Sequence, residues 1–152
     1  EPVICLGGNV LQFTVSSFSA SEWGGTIATE VGMLINMSSF DISGGNLTGA
    51  IPTYIGKLVM LKTLNLGRNS LYGTIPSKIG ALRKLSMLSL QNNKLTGTVP
   101  AQVANLNVLE YLLLWNNKLT GIIPKEFGDL VNLRYLSIGH NYFTGTMPPQ
   151  LV

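Results

Sequence analysis

The stretch LYGTIPSKIGALRKLSMLSLQNN, Leu71–Asn93, is one copy of a unit that recurs along this 152-residue chain. The hexapeptide NNKLTG stands at residues 92–97 and again, letter for letter, at 116–121. Four series of residues keep a step of 24 on either side of it: Asn69, Asn93, Asn117, Asn141; Leu71, Leu95, Leu119, Phe143; Gly73, Gly97, Gly121, Gly145; and Pro76, Pro100, Pro124, Pro148. A fixed period of this length indicates a protein built from stacked copies of one structural unit.

The leucine spacing within the unit defines the type of repeat. A period of about 20–29 residues written L-x-x-L-x-L-x-x-N-x-L is the signature of a leucine-rich-repeat solenoid. Because side chains alternate along a strand, each Leu-x-Leu predicts two inward leucines around one outward residue. Stacked coils then form a right-handed superhelix with a parallel β-sheet on its concave face. The inward pairs are Leu64/Leu66, Leu88/Leu90, Leu112/Leu114 and Leu136/Ile138.

The recurrent asparagine stands where the chain turns out of each strand. Buried backbone N–H and C=O groups must find partners, so we expect its amide to bond to backbone groups of its own coil and of the next. Gly45 takes the asparagine position in an upstream copy and interrupts this structural ladder. The members of the asparagine ladder are Asn69, Asn93, Asn117 and Asn141.

Composition excludes several classes of protein. Hydrophobic residues make up 45% of the chain and charged residues only 11%, against about a quarter charged in typical proteins. The apolar positions are periodic, and none of their runs reaches the roughly 18 residues of a membrane helix, so they predict a coil interior. The net charge of +3 is spread along the coils, whereas a nucleic-acid site would cluster its basic residues on one face.

The residues also lack the groupings that enzymes use. One cysteine, Cys5, and one histidine, His140, cannot form a metal cluster, a disulfide framework or a Cys/His dyad. The glycine pairs at 7–8, 24–25 and 44–45 lack the Lys-Ser/Thr of a phosphate-binding loop. The sequence therefore predicts a protein with no catalytic activity, no cofactor and no metal.

The pattern LxGxIPxxIGxLxxLxxLxLxxN, matched by Leu71–Asn93, resembles the plant-type leucine-rich repeat. Such repeats form the extracellular domains of plant receptor kinases and receptor-like proteins, and they also form polygalacturonase-inhibiting proteins. The resemblance covers the chain from about Gly25 to its C-terminus. It implies an α/β repeat solenoid in which the Gly-x-Ile-Pro elements form a second short sheet and PxxIGxL forms a short helical turn on the convex side.

The same resemblance implies a division of the chain. Residues 1–24 would be a partial N-terminal cap with a degenerate first coil, and residues 25–152 about five repeats without a C-terminal cap. VICLGGNVLQF, Val3–Phe13, looks like the end of the family's cap, with Cys5 as its second cysteine and the disulfide partner outside this chain. The alternative is that Cys5 is a free thiol buried as a small hydrophobic residue. We expect the chain to be a piece of a longer protein, because exposed apolar ends are costly for a solenoid.

Outward positions between the strand leucines define a candidate binding surface. Tyrosine and tryptophan there bury large areas at low entropic cost and dominate binding hot spots. We predict a partner-binding site for a protein, peptide or glycan; the alternative is that these aromatics only cover the sheet or meet a neighbouring chain. The predicted residues are Tyr111, Leu113, Trp115, Tyr135 and His140, with Arg68, Gln91 and Asn92 as a polar rim.

Two Asn-x-Ser/Thr sites, at Asn36 and Asn46, are candidate glycosylation acceptors if the chain is secreted. The sequence thus favours a non-catalytic recognition module of an extracellular or cell-surface protein. One alternative is a secreted inhibitor or defence protein acting on a hydrolase. A structural matrix or assembly subunit is another, and an intracellular scaffold remains open because one cysteine does not define an oxidising compartment.

Overall fold

The computed structural model describes residues 12–14 and 24–151. Short strands alternate with single turns of 3₁₀ helix. The strands are β1 Gln12–Thr14, β2 Gly25–Thr26, β3 Ser39–Asp41, β4 Leu47–Thr48, β5 Thr63–Asn65, β6 Tyr72–Gly73, β7 Met87–Ser89, β8 Lys94–Gly97, β9 Tyr111–Leu113, β10 Lys118–Gly121, β11 Tyr135–Ser137 and β12 Tyr142–Phe143. The 3₁₀ helices are η1 Thr29–Met33, η2 Thr53–Lys57, η3 Ser77–Ala81, η4 Ala101–Asn105, η5 Lys125–Asp129 and η6 Pro149–Leu151.

The odd-numbered strands form the predicted concave sheet. All its pairs are parallel, in the order β1-β3-β5-β7-β9-β11. Its register follows the sequence period, so that Leu64 lies beside Leu88 and Leu88 beside Leu112. The chain is therefore a leucine-rich-repeat solenoid, as the leucine spacing predicts.

The even-numbered strands lie on another side of the coils, where each coil contributes one strand, and we call these strands together the second sheet. β6, β8, β10 and β12 make one four-stranded parallel sheet, and β2 pairs separately with β4. The next side of the coil is a 3₁₀ turn, which begins directly after a proline from η2 onward, as η3 does after Pro76, and after Ala28 in η1. Its i→i+3 bonds, such as Ile79 N–H to Pro76 O at 3.0 Å, make a tighter turn than an α-helix would.

One continuous hydrophobic core runs through the stack. Leu64, Leu88 and Leu112 are completely buried, as the alternation predicts. Leu136, the same position in the last described coil, is partly buried and packs against this core. The leucine period thus forms the interior of the solenoid and leaves the residues between the leucines outside.

The asparagine ladder forms, but in the opposite direction to the expected one. Asn93 Nδ2 donates to Leu90 O of its own coil at 3.0 Å and to Leu66 O of the preceding coil at 2.9 Å. Asn93 Oδ1 accepts from Leu71 N–H at 3.0 Å. The backbone N–H groups at the strand exits already donate to the following coil, as Leu90 N–H does to Leu113 O at 2.8 Å. The side chain therefore provides hydrogen-bond partners for those backbone groups of the preceding coil that the sheet leaves unpaired.

The ladder begins at Asn69. Its Nδ2 donates to Ile42 O and its Oδ1 accepts from Leu47 N–H, at 3.0 and 2.9 Å. Gly45, which precedes it in the series, is buried, and a Cβ built on it would lie 3.6 Å from Asn69 Oδ1. Thus Asn69 serves the coil that has no asparagine of its own.

Cys5 lies outside the described residues, so its predicted disulfide stays a prediction. Within the described part of the chain, no helix is long and apolar enough to cross a membrane.

Candidate functional site

The concave sheet brings the predicted aromatic residues together on two neighbouring strands, β9 and β11, and at the turns that follow them. Tyr111 lies between Met87 and Tyr135, and Leu113 lies beside Ser137. The side chains of Tyr111 and Tyr135 are 37% and 57% exposed, although both stand on ordered strands. Leu113, on the same strand as Tyr111, is half-buried. We call Tyr111, Trp115, Tyr135 and His140 the aromatic patch.

Trp115 and His140 form the edge of this patch. Their ring centroids are 4.9 Å apart with an interplanar angle of 66°, an edge-to-face arrangement. Trp115 is 36% exposed, and a Cβ on Gly139 would lie only 3.2 Å from its Cδ1 atom. The absent side chain at Gly139 therefore leaves room for the indole, which lies across the strand exits rather than inside the coil.

A row of left-handed residues follows the concave strands. Arg68, Asn92, Asn116 and His140 have φ values of 56°, 55°, 55° and 53°. Few residues other than glycine adopt this conformation, and asparagine and histidine do so more readily than arginine. Asn116 Nδ2 donates to Asn92 Oδ1 at 2.9 Å, which links two coils at the surface. The predicted polar rim thus lies along one margin of the concave sheet, where the strands end; we call this margin the polar edge.

Asn116 belongs to this edge but is absent from the predicted site. It directly follows Trp115 in the sequence. The signal that would have found it is the 24-residue column that also holds Arg68, Asn92 and His140. The half-buried Gln91 accepts a hydrogen bond at its backbone oxygen from Arg68 N–H at 2.9 Å, which fixes the rim to the preceding coil.

Replacing Arg68 by asparagine is expected to stabilise the fold. A left-handed arginine costs about 1–2 kcal/mol, and asparagine tolerates the conformation better, so the free energy of unfolding should rise by roughly 0.5–1 kcal/mol. Urea denaturation measures the difference. Arg83→Asn is the control, because Arg83 is exposed and its φ is not positive. Equal changes in the two variants would contradict the assigned strain.

One ion pair borders the concave sheet. Arg134 Nε lies 3.3 Å from Glu110 Oε2, and both residues directly precede their strands. Arg134 is 73% exposed, so solvent screens the pair and it adds little to stability. Arg68 is an exposed cation in the row of strand exits that also holds Asn92, Asn116 and His140.

The two candidate glycosylation sites lie outside the concave sheet. Asn36 is exposed in the turn before β3, and Asn46 is exposed with a φ of 53° just before β4. Their exposure is compatible with modification, which stays a prediction. Among the described residues, there is no group of three metal-ligating side chains.

The repeat, the two sheets and the 3₁₀ turns define a leucine-rich-repeat protein. The model of the leucine-rich repeat region matches residues 11–150, and the chain belongs to this family. No curated protein sequence matches the chain.

Several solved plant structures are similar to the chain. One is the structure of a TDR receptor, with 36% identity and a TM-score of 0.83, covering 84% of this chain and 22% of that one. Another is the Arabidopsis receptor kinase HAESA in complex with the peptide hormone IDA and the co-receptor SERK1, with 36% identity, a TM-score of 0.80 and the same coverage of 84% and 22%. A plant ice-binding protein has 37% identity and a TM-score of 0.79, covering 84% of this chain and 42% of that one.

The receptors among these matches are extracellular leucine-rich-repeat domains of plant membrane receptors. The chain spans 22% of the length of the two receptor structures. The resemblance found in the repeat pattern is therefore confirmed: this is a plant-type leucine-rich-repeat region that is similar to receptor ectodomains.

Proposed function

We propose that the chain is an extracellular, non-catalytic recognition module whose concave face binds a peptide or protein ligand. The observation that carries the proposal is the aromatic patch. Its Tyr111 and Tyr135 are exposed side chains on a parallel sheet of fixed register, and Trp115 is exposed just beyond the end of β9. Rigid aromatic side chains with a polar tip supply large contact area at low entropic cost.

The polar edge complements the patch. Exposed Arg68 and Asn116 and half-buried Asn92 offer hydrogen-bonding groups beside the aromatic surface. With strands about 4.8 Å apart, the coils from Arg68 to His140 span about 14 Å. That span suits an extended peptide of a few residues better than a protein footprint of about 800 Å². The similarity to a receptor solved with a peptide hormone supports the same ligand class.

Truncation of Trp115 or of Tyr135, two aromatic side chains of the patch, is expected to weaken peptide binding. We would select ligands from a random linear peptide library displayed on phage and measure their affinities by calorimetry. Trp115→Ala and Tyr135→Ala should each lower the affinity about tenfold or more, as for a binding hot spot. Tyr142→Ala is the matched control, because Tyr142 is 65% exposed but belongs to the second sheet.

Peptides that bind the wild type and all three variants equally would contradict a concave recognition site. Selection of ligands sensitive only to Tyr142→Ala would place recognition on the second sheet instead.

A second candidate function is ice binding. The observation that favours it is the second sheet, whose outer face carries exposed threonines in every described coil, for example Thr96 and Thr98. The similarity to a plant ice-binding protein at 37% identity supports the same function. Thermal hysteresis, the gap between the melting and freezing points of a solution that contains an ice crystal, tests this function directly.

A further inference from the structure

The outer face of the second sheet carries one unbroken line of exposed, uncharged side chains, which we call the threonine staircase. Each coil after the first contributes two outward positions, one on either side of a glycine such as Gly97 or Gly121, and the first coil contributes Thr26. Every member of the line is exposed. In spatial order they are Thr26, Thr48, Ala50, Tyr72, Thr74, Thr96, Thr98, Thr120, Ile122, Thr144 and Thr146.

The line is continuous because the register of this sheet differs from the sequence period. Thr26 lies beside Thr48, 22 residues later, and Ala50 lies beside Tyr72 in the same way. The register of β8 and β10 pairs Thr96 with Lys118 and Gly97 with Leu119, and its extension by one residue past the end of β8 places Thr98 beside Thr120. Each strand is thus shifted by two residues against its neighbour, and the second outward residue of one coil meets the first outward residue of the next.

Hydrogen bonds fix two hydroxyls of the first outward position. Thr48 Oγ1 donates to Gly25 O at 3.2 Å, and Thr96 Oγ1 donates to Gly73 O at 3.3 Å. A threonine hydroxyl that has donated its only proton still has lone pairs with which to accept hydrogen bonds from water. Thr48 and Thr96 therefore hold acceptor atoms in set positions at the surface of the staircase.

Glycines of the following coil fix the methyl groups of the second outward position. Thr74 Cγ2 would lie 2.9 Å from a Cβ on Gly97, and Thr98 Cγ2 2.8 Å from a Cβ on Gly121. These glycines have φ values of 73° and 77°, which strain most other residues. The methyl groups of Thr74 and Thr98 thus occupy the space that side chains at Gly97 and Gly121 would need, which restricts their rotamers.

The spacing of this face matches that of ordered water. Neighbouring strands lie about 4.8 Å apart. In tetrahedral ice, two water molecules bonded to a common third lie about 4.5 Å apart, given an O···O distance of about 2.75 Å. Ordered acceptors and methyl groups at this spacing can anchor and cage water without the entropic cost of first ordering the protein surface.

We infer that the threonine staircase is an ice-binding surface, whose ligand is the water lattice of an ice crystal. The inference rests on the ice-binding function proposed above and assigns it to the second sheet rather than to the concave face. Charged residues, which hold their own hydration shells, are absent from the staircase itself. Lys94 and Lys118 lie along one side of it, beside Tyr72 and Thr96.

The test is thermal hysteresis of the 152-residue chain and of variants in the centre of the staircase. Thr98→Lys and Thr120→Lys, combined, place two charged side chains where the face is most regular. Hysteresis is expected to fall about tenfold or more, the size of a binding hot-spot effect. Asn105→Lys adds a charge at an exposed position of η4 and should change nothing. Trp115→Ala in the concave sheet should also keep full hysteresis.

Melting midpoints followed by circular dichroism identify variants that fail to fold. Thr98→Ser and Thr120→Ser, which remove only the methyl groups, then provide a second and milder pair. Full hysteresis in all folded staircase variants, with a loss in Trp115→Ala, would overturn the inference while leaving the ice-binding function in place. No hysteresis in the wild type, or binding to microcrystalline cellulose instead of ice, would overturn both.

Discussion

Asn117→Asp is expected to lower the free energy of unfolding by about 3 kcal/mol or more. Asn117 is 6% exposed. Its Nδ2 donates to Leu90 O at 3.0 Å and to Leu114 O at 3.1 Å, and its Oδ1 accepts from Leu95 N–H at 3.0 Å. An aspartate of the same shape keeps the last bond. It turns the first two into contacts between a buried carboxylate and carbonyl oxygens, which repel each other.

The pH dependence of this variant gives the mechanism a second readout. A protonated aspartic acid regains one donor, so the folded state binds a proton more tightly than the unfolded chain does. The stability deficit relative to wild type should therefore shrink as the pH falls and be largest at neutral pH. Urea unfolding of the variant and of the wild type at neutral pH and at an acidic pH measures this deficit. Asn105→Asp, at an exposed position of η4, should stay within about 0.5 kcal/mol of wild type. Equal effects of the two substitutions would show that the ladder does not hold the coils together.

Gly80→Ala is expected to destabilise the protein by about 2–3 kcal/mol. A Cβ on Gly80 would lie 2.3 Å from the backbone oxygen of Gln102 and 2.9 Å from its carbonyl carbon. These atoms are backbone of the neighbouring η4, so no side chain can turn away to make room. The two coils must separate along the 3₁₀ face, which weakens packing in the core beneath it.

The same close approach recurs one coil earlier, where a Cβ on Gly56 would lie 2.5 Å from Lys78 O. Gly24→Ala is the control, because nothing lies within 4 Å of its Cβ position. Guanidinium denaturation should show a lower midpoint for Gly80→Ala with an unchanged m-value, and no loss for Gly24→Ala. A wild-type midpoint for Gly80→Ala would mean that the turns of the stack are farther apart than described.

The stack itself could be predicted from the sequence because its forces repeat with the chain. A leucine that is inward in one coil must be inward in the next, and Leu64, Leu88 and Leu112 are all fully buried. The plant-type Gly-x-Ile-Pro element likewise predicted the second sheet, which the structure contains as β6, β8, β10 and β12. Periodicity thus reports burial and element type well.

Periodicity reports direction and register less well. The asparagine spacing is the same whether the amide bonds to the preceding or to the following coil. The direction of the backbone N–H groups decides between the two, because groups such as Leu90 N–H already donate to the following coil. The two-residue shift that aligns Thr98 with Thr120 results from the path of each coil between its two sheets, so the 24-residue period hides it. Arginine rarely adopts a left-handed conformation, and residue type alone therefore did not predict it at Arg68.

The assignment of the outward aromatic residues to partner binding remains a prediction, unlike their position on the surface. The sequence placed Tyr111, Trp115 and Tyr135 on outward positions, and the structure has them exposed on or beside the concave strands. Exposed aromatic side chains can take part in recognition, but they do not identify the ligand. The affinity depends on how well the partner packs around them and excludes water.

The contact surface of a selected peptide tests the concave-face account most directly. Backbone amide chemical shifts of the chain would be recorded with and without a peptide from the phage library. The account predicts the largest changes in β9 and β11 and at Trp115, Asn116 and His140. Changes confined to the 3₁₀ turns or to the second sheet, with β9 and β11 unaffected, would contradict it.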